Sequence, residues 1–134
     1  MKLARIIFCV AGIYGLLVLV PQYFTEVKLG IDYPPAITHP EFYYGFLGVS
    51  ISWQIAFLFV ATDPLRYRPI MIPSILEKAT FSIAVILLFL GHRTSGMMLG
   101  FALIDLMLGV AFVVAFVRTS SPQAAQAEGV IVRR

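Results

Sequence analysis

The chain has 134 residues, of which 60% are hydrophobic and 13% charged, and its formal net charge is +3. A mean hydropathy of +0.90 lies outside the range of soluble globular domains, so a soluble enzyme or a soluble binding module is excluded. The basic excess sits at the ends of apolar runs, which makes it a signal of membrane topology and not of nucleic-acid binding.

Four apolar runs fill most of the chain, at 4–20, 42–62, 70–91 and 96–117. Each approaches the ~20 residues that cross ~30 Å of hydrocarbon as a helix. No water is available there, so backbone groups must bond within the helix. The expected fold is all-α: an up-down-up-down four-helix transmembrane bundle over 1–118, followed by a polar cytoplasmic tail, 119–134.

The first run begins after Lys2 and Arg5 and ends at Pro21-Gln22-Tyr23-Phe24. It has no small-residue cleavage site, so it reads as a retained span and not as a secretory signal. The single cysteine, Cys9, excludes an internal disulfide and reads as packing filler. Ala11 and Gly15 put small side chains on one helix face, and Tyr14 brings a hydroxyl to mid-span.

The connection 21–41 is the longest, and Tyr33-Pro34-Pro35 and His39-Pro40 limit its freedom. Tyr23, Phe24, Phe42, Tyr43 and Tyr44 flank it as an interfacial aromatic belt. Thr38-His39-Pro40-Glu41 fits a capping box with Thr38 as N-cap. His39, Glu41 and His92 are metal-ligand types near one surface, but their spacing does not demand a metal or a haem, and neither is expected.

Along the second run Gly45, Gly48, Ser52 and Ala56 form a small-residue stripe of the kind that lets helices approach closely in lipid. Trp53 lies too deep to be an interface anchor, and Gln54 needs a partner, with Glu77 or Asp105 as candidates. Asp63-Pro64 stops this helix, and Arg66-Tyr67-Arg68 follows, where anionic lipid head groups are a possible contact. Ser74-Ile75-Leu76-Glu77 offers a second capping box. That pattern puts Glu77 near the start of the third span and lets Lys78 snorkel to the surface. A second reading makes both line a cavity.

Gly91 and Gly96 bracket the turn into the fourth run, whose Ala102 and Gly109 are again small. Asp105 near its middle costs roughly 2.5–3.5 kcal/mol to insert. It must therefore face a helix contact, and Tyr14 is its expected donor. Tyr14, Gln54, Glu77, Lys78 and Asp105 form a possible intramembrane polar cluster, with Trp53 as a pocket aromatic. Such residues mark function by default, although a hydrogen-bonded network that fixes helix register explains them too. No catalytic motif, cofactor motif or metal-ligand spacing is present.

Lys2, Arg5, Arg66, Arg68, Arg118, Arg133 and Arg134 flank one side of the spans, while the other side holds only Lys28 and Arg93. By the positive-inside rule both termini are expected to be cytoplasmic. His39-Pro40-Glu41-Phe42-Tyr43-Tyr44-Gly45-Phe46, Asp63-Pro64-Leu65-Arg66-Tyr67-Arg68-Pro69 and Leu76-Glu77-Lys78 make the chain resemble a group of uncharacterised small bacterial inner-membrane proteins. In architecture it more loosely resembles the DoxX-like superfamily. The resemblance implies a four-span protein of the inner membrane and carries over no catalytic residue. The leading expectation is a non-catalytic accessory or scaffold subunit, packing against a larger membrane complex or a second copy of itself. The alternatives are binding of a small molecule, lipid or quinone in the polar cluster, and proton-coupled transport. Membrane lipids are expected partners, and nucleic acid is not.

Overall fold

Apolar residues crowd the outside of this bundle as well as its inside: Leu17, Leu87 and Val117 are 72%, 63% and 72% exposed. In water such a surface would aggregate; in lipid it is the solvated face. The computed structural model describes residues 1–119. It contains five helices, α1 (Lys2–Gln22), α2 (Glu26–Asp32), α3 (Pro40–Thr62), α4 (Arg68–Leu90) and α5 (Gly96–Arg118), and no strand among the described residues. Four of them are long and apolar enough to cross a bilayer. The chain is a multi-pass integral membrane protein.

The bundle is two tight pairs, α1 with α3 and α4 with α5, joined mainly along α1 and α5 and least along α3 and α4. Glycines set the first pair. A Cβ on Gly12 would lie 2.9 Å from the Gln54 carbonyl oxygen and 2.8 Å from Leu58 Cδ2. Contacts that short do not occur in packed proteins, and the backbone oxygen cannot move aside. Gly12→Ala is therefore expected to push α1 off α3 and lower stability by about 1–3 kcal/mol, measurable by SDS titration in mixed micelles. Gly15 is filled in the same way by the Gln54 side chain. In the second pair a Cβ on Gly109 would lie 3.2 Å from the Lys78 Cβ, and the Ser82 hydroxyl donates across to the Ala102 carbonyl at 3.0 Å.

The start of α1, the α3–α4 connection and the end of α5 meet at one end of the bundle, called here the basic face. Arg68 Nε donates to the Thr119 carbonyl at 2.5 Å, and the guanidinium lies 3.8 Å over the Phe116 ring. Arg68 thus closes the carbonyl end of α5, where a cation is favoured, a role that the sequence reading of topology and snorkelling, with lipid head groups as the lesser alternative, did not include. Thr119, which the sequence assigned to the tail, is buried and donates to the Ala115 carbonyl at 2.7 Å; the rest of that tail, 120–134, lies outside the described residues.

At the opposite end the connection is not the plain loop expected, because α2 forms within it. Tyr43 donates to the Gln22 carbonyl at 2.6 Å, fastening the end of α1 to α3, and Tyr44 donates to Glu26 at 2.8 Å, fastening α2 to α3. Phe24 and Phe42 are left exposed, as an interfacial belt requires.

Both capping boxes need correction. The N-cap of α3 is His39, not Thr38, with no side-chain cap, and Glu41 bonds the His39 ring at 3.2 Å instead of reaching back. Pro40 at the first helical position needs no donor partner, so the helix starts there. α4 already begins at Arg68, which puts Ser74 inside the helix, its hydroxyl donating to the Ile70 carbonyl at 2.7 Å. The cap of α5 is real: Ser95 Oγ accepts from the Met98 amide at 3.4 Å. Gly91 closes α4 with an ordinary negative φ, and the left-handed residue of that turn is His92.

Candidate functional site

The early start of α4 decides the fate of Lys78. It carries the lysine to the middle of the helix, where it is 5% exposed, too deep to snorkel. Its ammonium donates to both carboxylate oxygens of Asp105, at 3.2 and 3.1 Å. Asp105 thus finds a cation on α4 and not the Tyr14 hydroxyl; Tyr14 makes no hydrogen bond among the described residues but lines the same cavity. Glu77 Oε2 sits 3.3 Å from the Lys78 ammonium. The adjacent residues thus pair as ions. The i, i+1 geometry nonetheless denies them a hydrogen bond, and Glu77 Oε2 is buried without one.

Gln54 on α3 completes the polar surface. It is 2% exposed, and its amide nitrogen donates to the Ser50 carbonyl at 3.0 Å, one turn back on its own helix. It bonds neither Glu77 nor Asp105, and its Oε1 has no partner among the described residues. Because Ser50 supplies an acceptor, the nitrogen must face it, and the oxygen is the atom left over.

These groups border a cavity of about 350 Å³. All five helices contribute to it. Tyr14, Gln54, Glu77, Lys78 and Asp105 all reach it, so the five polar residues singled out from the sequence share one space. The rest of the wall is apolar: Phe46, Phe81 and Phe101, then Leu29 of α2, and Met97 and Met98 at an exposed rim. Tyr33 donates to the Met97 sulfur at 3.1 Å and so ties the end of α2 to this rim.

Toward the basic face the interior is closed. Phe8 and Phe112 stack at 4.2 Å between ring centroids, and Phe57 meets Phe112 edge-on at 4.9 Å. Ala4, Ala11, Val60, Met71 and Ala115 pack around them, all essentially buried. The Lys78 ammonium lies 5.4 Å from the Phe57 ring centroid. The buried ions therefore stand at the boundary between a packed half and a hollow half. Compared with known proteins, the chain matches no family model, no curated protein and no solved structure. The site is read from its own chemistry.

Trp53 does not join that chemistry. One residue from Gln54 is about 100° around the helix, and Trp53 faces a second, shallow groove with Tyr44, Ile70 and Pro73. Gly45, Gly48, Ser52 and Ala56 line the same groove, and only Tyr23 approaches Gly48 while nothing approaches Gly45. Among the described residues no helix therefore packs closely on this stripe, whereas Ala11, Gly15, Ala102 and Gly109 are buried inside the bundle. His39 and Glu41 pair at the surface, and no three His, Cys, Asp or Glu side chains gather as a metal site among the described residues.

Sequence reasoning missed the apolar wall. Phe46, Phe81, Phe101 and the two methionines look like ordinary lipid-facing or core residues. Only Phe81, one turn beyond Glu77 and Lys78, carried a spacing that could have flagged it.

Proposed function

We propose that this protein binds a small amphipathic molecule in the central cavity, its polar head against the Glu77–Lys78–Asp105 cluster and its apolar body among Phe46, Phe81, Phe101 and Met98. One observation carries the reading: mid-membrane, where unfilled space and ionic groups are both costly, the chain keeps a cavity that ends on three ionic side chains. A register-fixing network would need the ions but not the space beside them.

The distribution of basic residues supports placing the basic face in the cytoplasm, and the resemblance noted above supports a bacterial inner membrane. The cavity then opens through Met97 and Met98 toward the outer leaflet. Proton-coupled transport would need a path to the cytoplasm, and in that direction Phe8, Phe57 and Phe112 fill the interior. An accessory or scaffold role draws on a separate observation, the uncovered groove of Gly45, Gly48, Ser52 and Ala56 beside Trp53. The two roles are compatible, since the groove and the cavity lie on different faces of α3.

Native mass spectrometry of protein purified in mild detergent tests the binding reading. The expected result is a retained small amphiphile, released on unfolding and absent from Val18→Trp, which fills the cavity without touching the ions. A chain that carries nothing, or a Val18→Trp variant that carries the same molecule, would overturn it.

A further inference from the structure

We propose that the head group accepted by this cavity is a protonated primary or secondary amine on a compact apolar body, an inference that rests on the binding reading above. Two buried atoms at the site lack hydrogen bonds, Gln54 Oε1 and Glu77 Oε2, and both are acceptors. The Gln54 nitrogen serves Ser50, and the Lys78 ammonium directs two hydrogen bonds to the oxygens of Asp105. The Tyr14 hydroxyl lines the same cavity but bonds neither bare acceptor. Among the described residues no N–H or O–H group satisfies these two acceptors, and a ligand that brings donors would do so, because buried acceptors are costly to leave bare.

Charge narrows the choice. Two carboxylates face one ammonium, so the formal charges sum to one negative, and Asp105 holds the lysine in both directions while Glu77 is left with an ion contact only. A phosphate or carboxylate head would add a second negative charge to a low-dielectric site. A quinone or ester would bring more carbonyl acceptors to a place that already holds two bare ones. An alcohol supplies one donor but no charge. A quaternary ammonium supplies charge but no N–H. A protonated amine supplies both, and the aromatic walls of Tyr14, Phe46, Phe81 and Phe101 suit a cation better than an anion.

The test uses the full chain in lipid nanodiscs at neutral pH, titrated calorimetrically with phenethylamine, its N-trimethyl analogue and phenethyl alcohol, with empty nanodiscs subtracted. Phenethylamine is expected to bind saturably and about tenfold or more tighter than either analogue, the equivalent of one charge-assisted hydrogen bond. Glu77→Gln should remove most of that preference while leaving the weak affinity for the alcohol, and Gln54→Leu should weaken the amine alone. Equal binding of the alcohol or of the trimethyl compound overturns the head-group assignment and leaves the amphiphile cavity standing. That comparison needs only the wild-type chain, so a Glu77 variant that fails to fold does not protect the idea. No saturable binding of phenethylamine overturns it as well, and native mass spectrometry then tells whether the cavity reading falls with it.

Discussion

Lys78→Met is expected to lower the stability of the bundle by about 3–5 kcal/mol, the usual cost of removing one member of a buried ion pair. Methionine keeps most of the stem that passes Gly109, so packing changes little. What changes is that Asp105 and Glu77 stay in the apolar interior with no cation beside them. The same logic predicts rescue. In Lys78→Met with Asp105→Asn only Glu77, the more exposed of the two carboxylates, is left without a cation, and about half or more of the loss should be recovered, because neutral replacements of buried pairs are often tolerated. SDS titration in mixed micelles of the wild type, both single variants and the double variant gives the cycle. A single Lys78→Met variant within about 1 kcal/mol of wild type would mean that the lysine reaches solvent as an exposed ion would, and the buried-ion description would fall.

The span count and the identity of the polar cluster were legible in the sequence because both follow from composition over long windows. Twenty apolar residues in a row have few alternatives, and an aspartate among leucines must face inward. What was not legible depends on a shift of a few residues. Reading Ser74 as a helix start moved Lys78 from the middle of α4 to its edge and turned a buried ammonium into a snorkelling one. The error came from trusting a capping pattern that a serine hydroxyl inside a helix imitates when it bonds back to the carbonyl four residues earlier. With Lys78 misplaced, Asp105 was given Tyr14 as its donor and Gln54 as a further candidate. The stripe of Gly45, Gly48, Ser52 and Ala56 failed for a different reason. Small residues say that a helix face can be approached closely, but not by which partner, and among the described residues no helix takes the place.

The sequence offered a cavity only as a second reading of Glu77 and Lys78, and its apolar wall was illegible for a deeper reason. A hollow arises where side chains from several helices fail to meet, and no local pattern encodes a failure to meet. In hindsight one contrast points to it. Toward the basic face the contributors to the interior are three phenylalanines that reach one another, set between alanines that let the helices close. In the other half, Phe46 and Phe81 come no closer than 6.4 Å between ring centroids and Phe101 stacks on neither, which leaves the space beside the polar residues open. Two halves of one bundle, built from the same residue types, thus reach opposite outcomes through placement alone.

Phe112→Ala tests the packed half and is expected to cost about 3 kcal/mol, near the lower end for burying a void in place of a phenylalanine. The lower end applies because lipid is as apolar as the interior, so the variant loses dispersion contacts and gains a cavity but gives up little transfer free energy. Phe112 has no exposed surface and touches both Phe8 and Phe57. Phe8→Ala should cost nearly as much, and the double variant less than the two together, since the stacked pair can be lost only once. A coupling of about 0.5–1.5 kcal/mol is the expected size for such an aromatic pair. Phe112→Leu, which refills much of the volume, should recover over half of the loss. The consequence for function follows from where the rings stand. They floor the site beneath Lys78, so a void there frees the ammonium to drop away from Asp105 and loosens the cavity it helps shape. Phe112→Ala should therefore weaken phenethylamine binding although the ring lies outside the cavity, and Phe112→Leu should restore it. Additive losses for Phe8 and Phe112, or an alanine variant as stable as wild type, would mean that the floor is not packed as described and that the two halves of the bundle are not distinct.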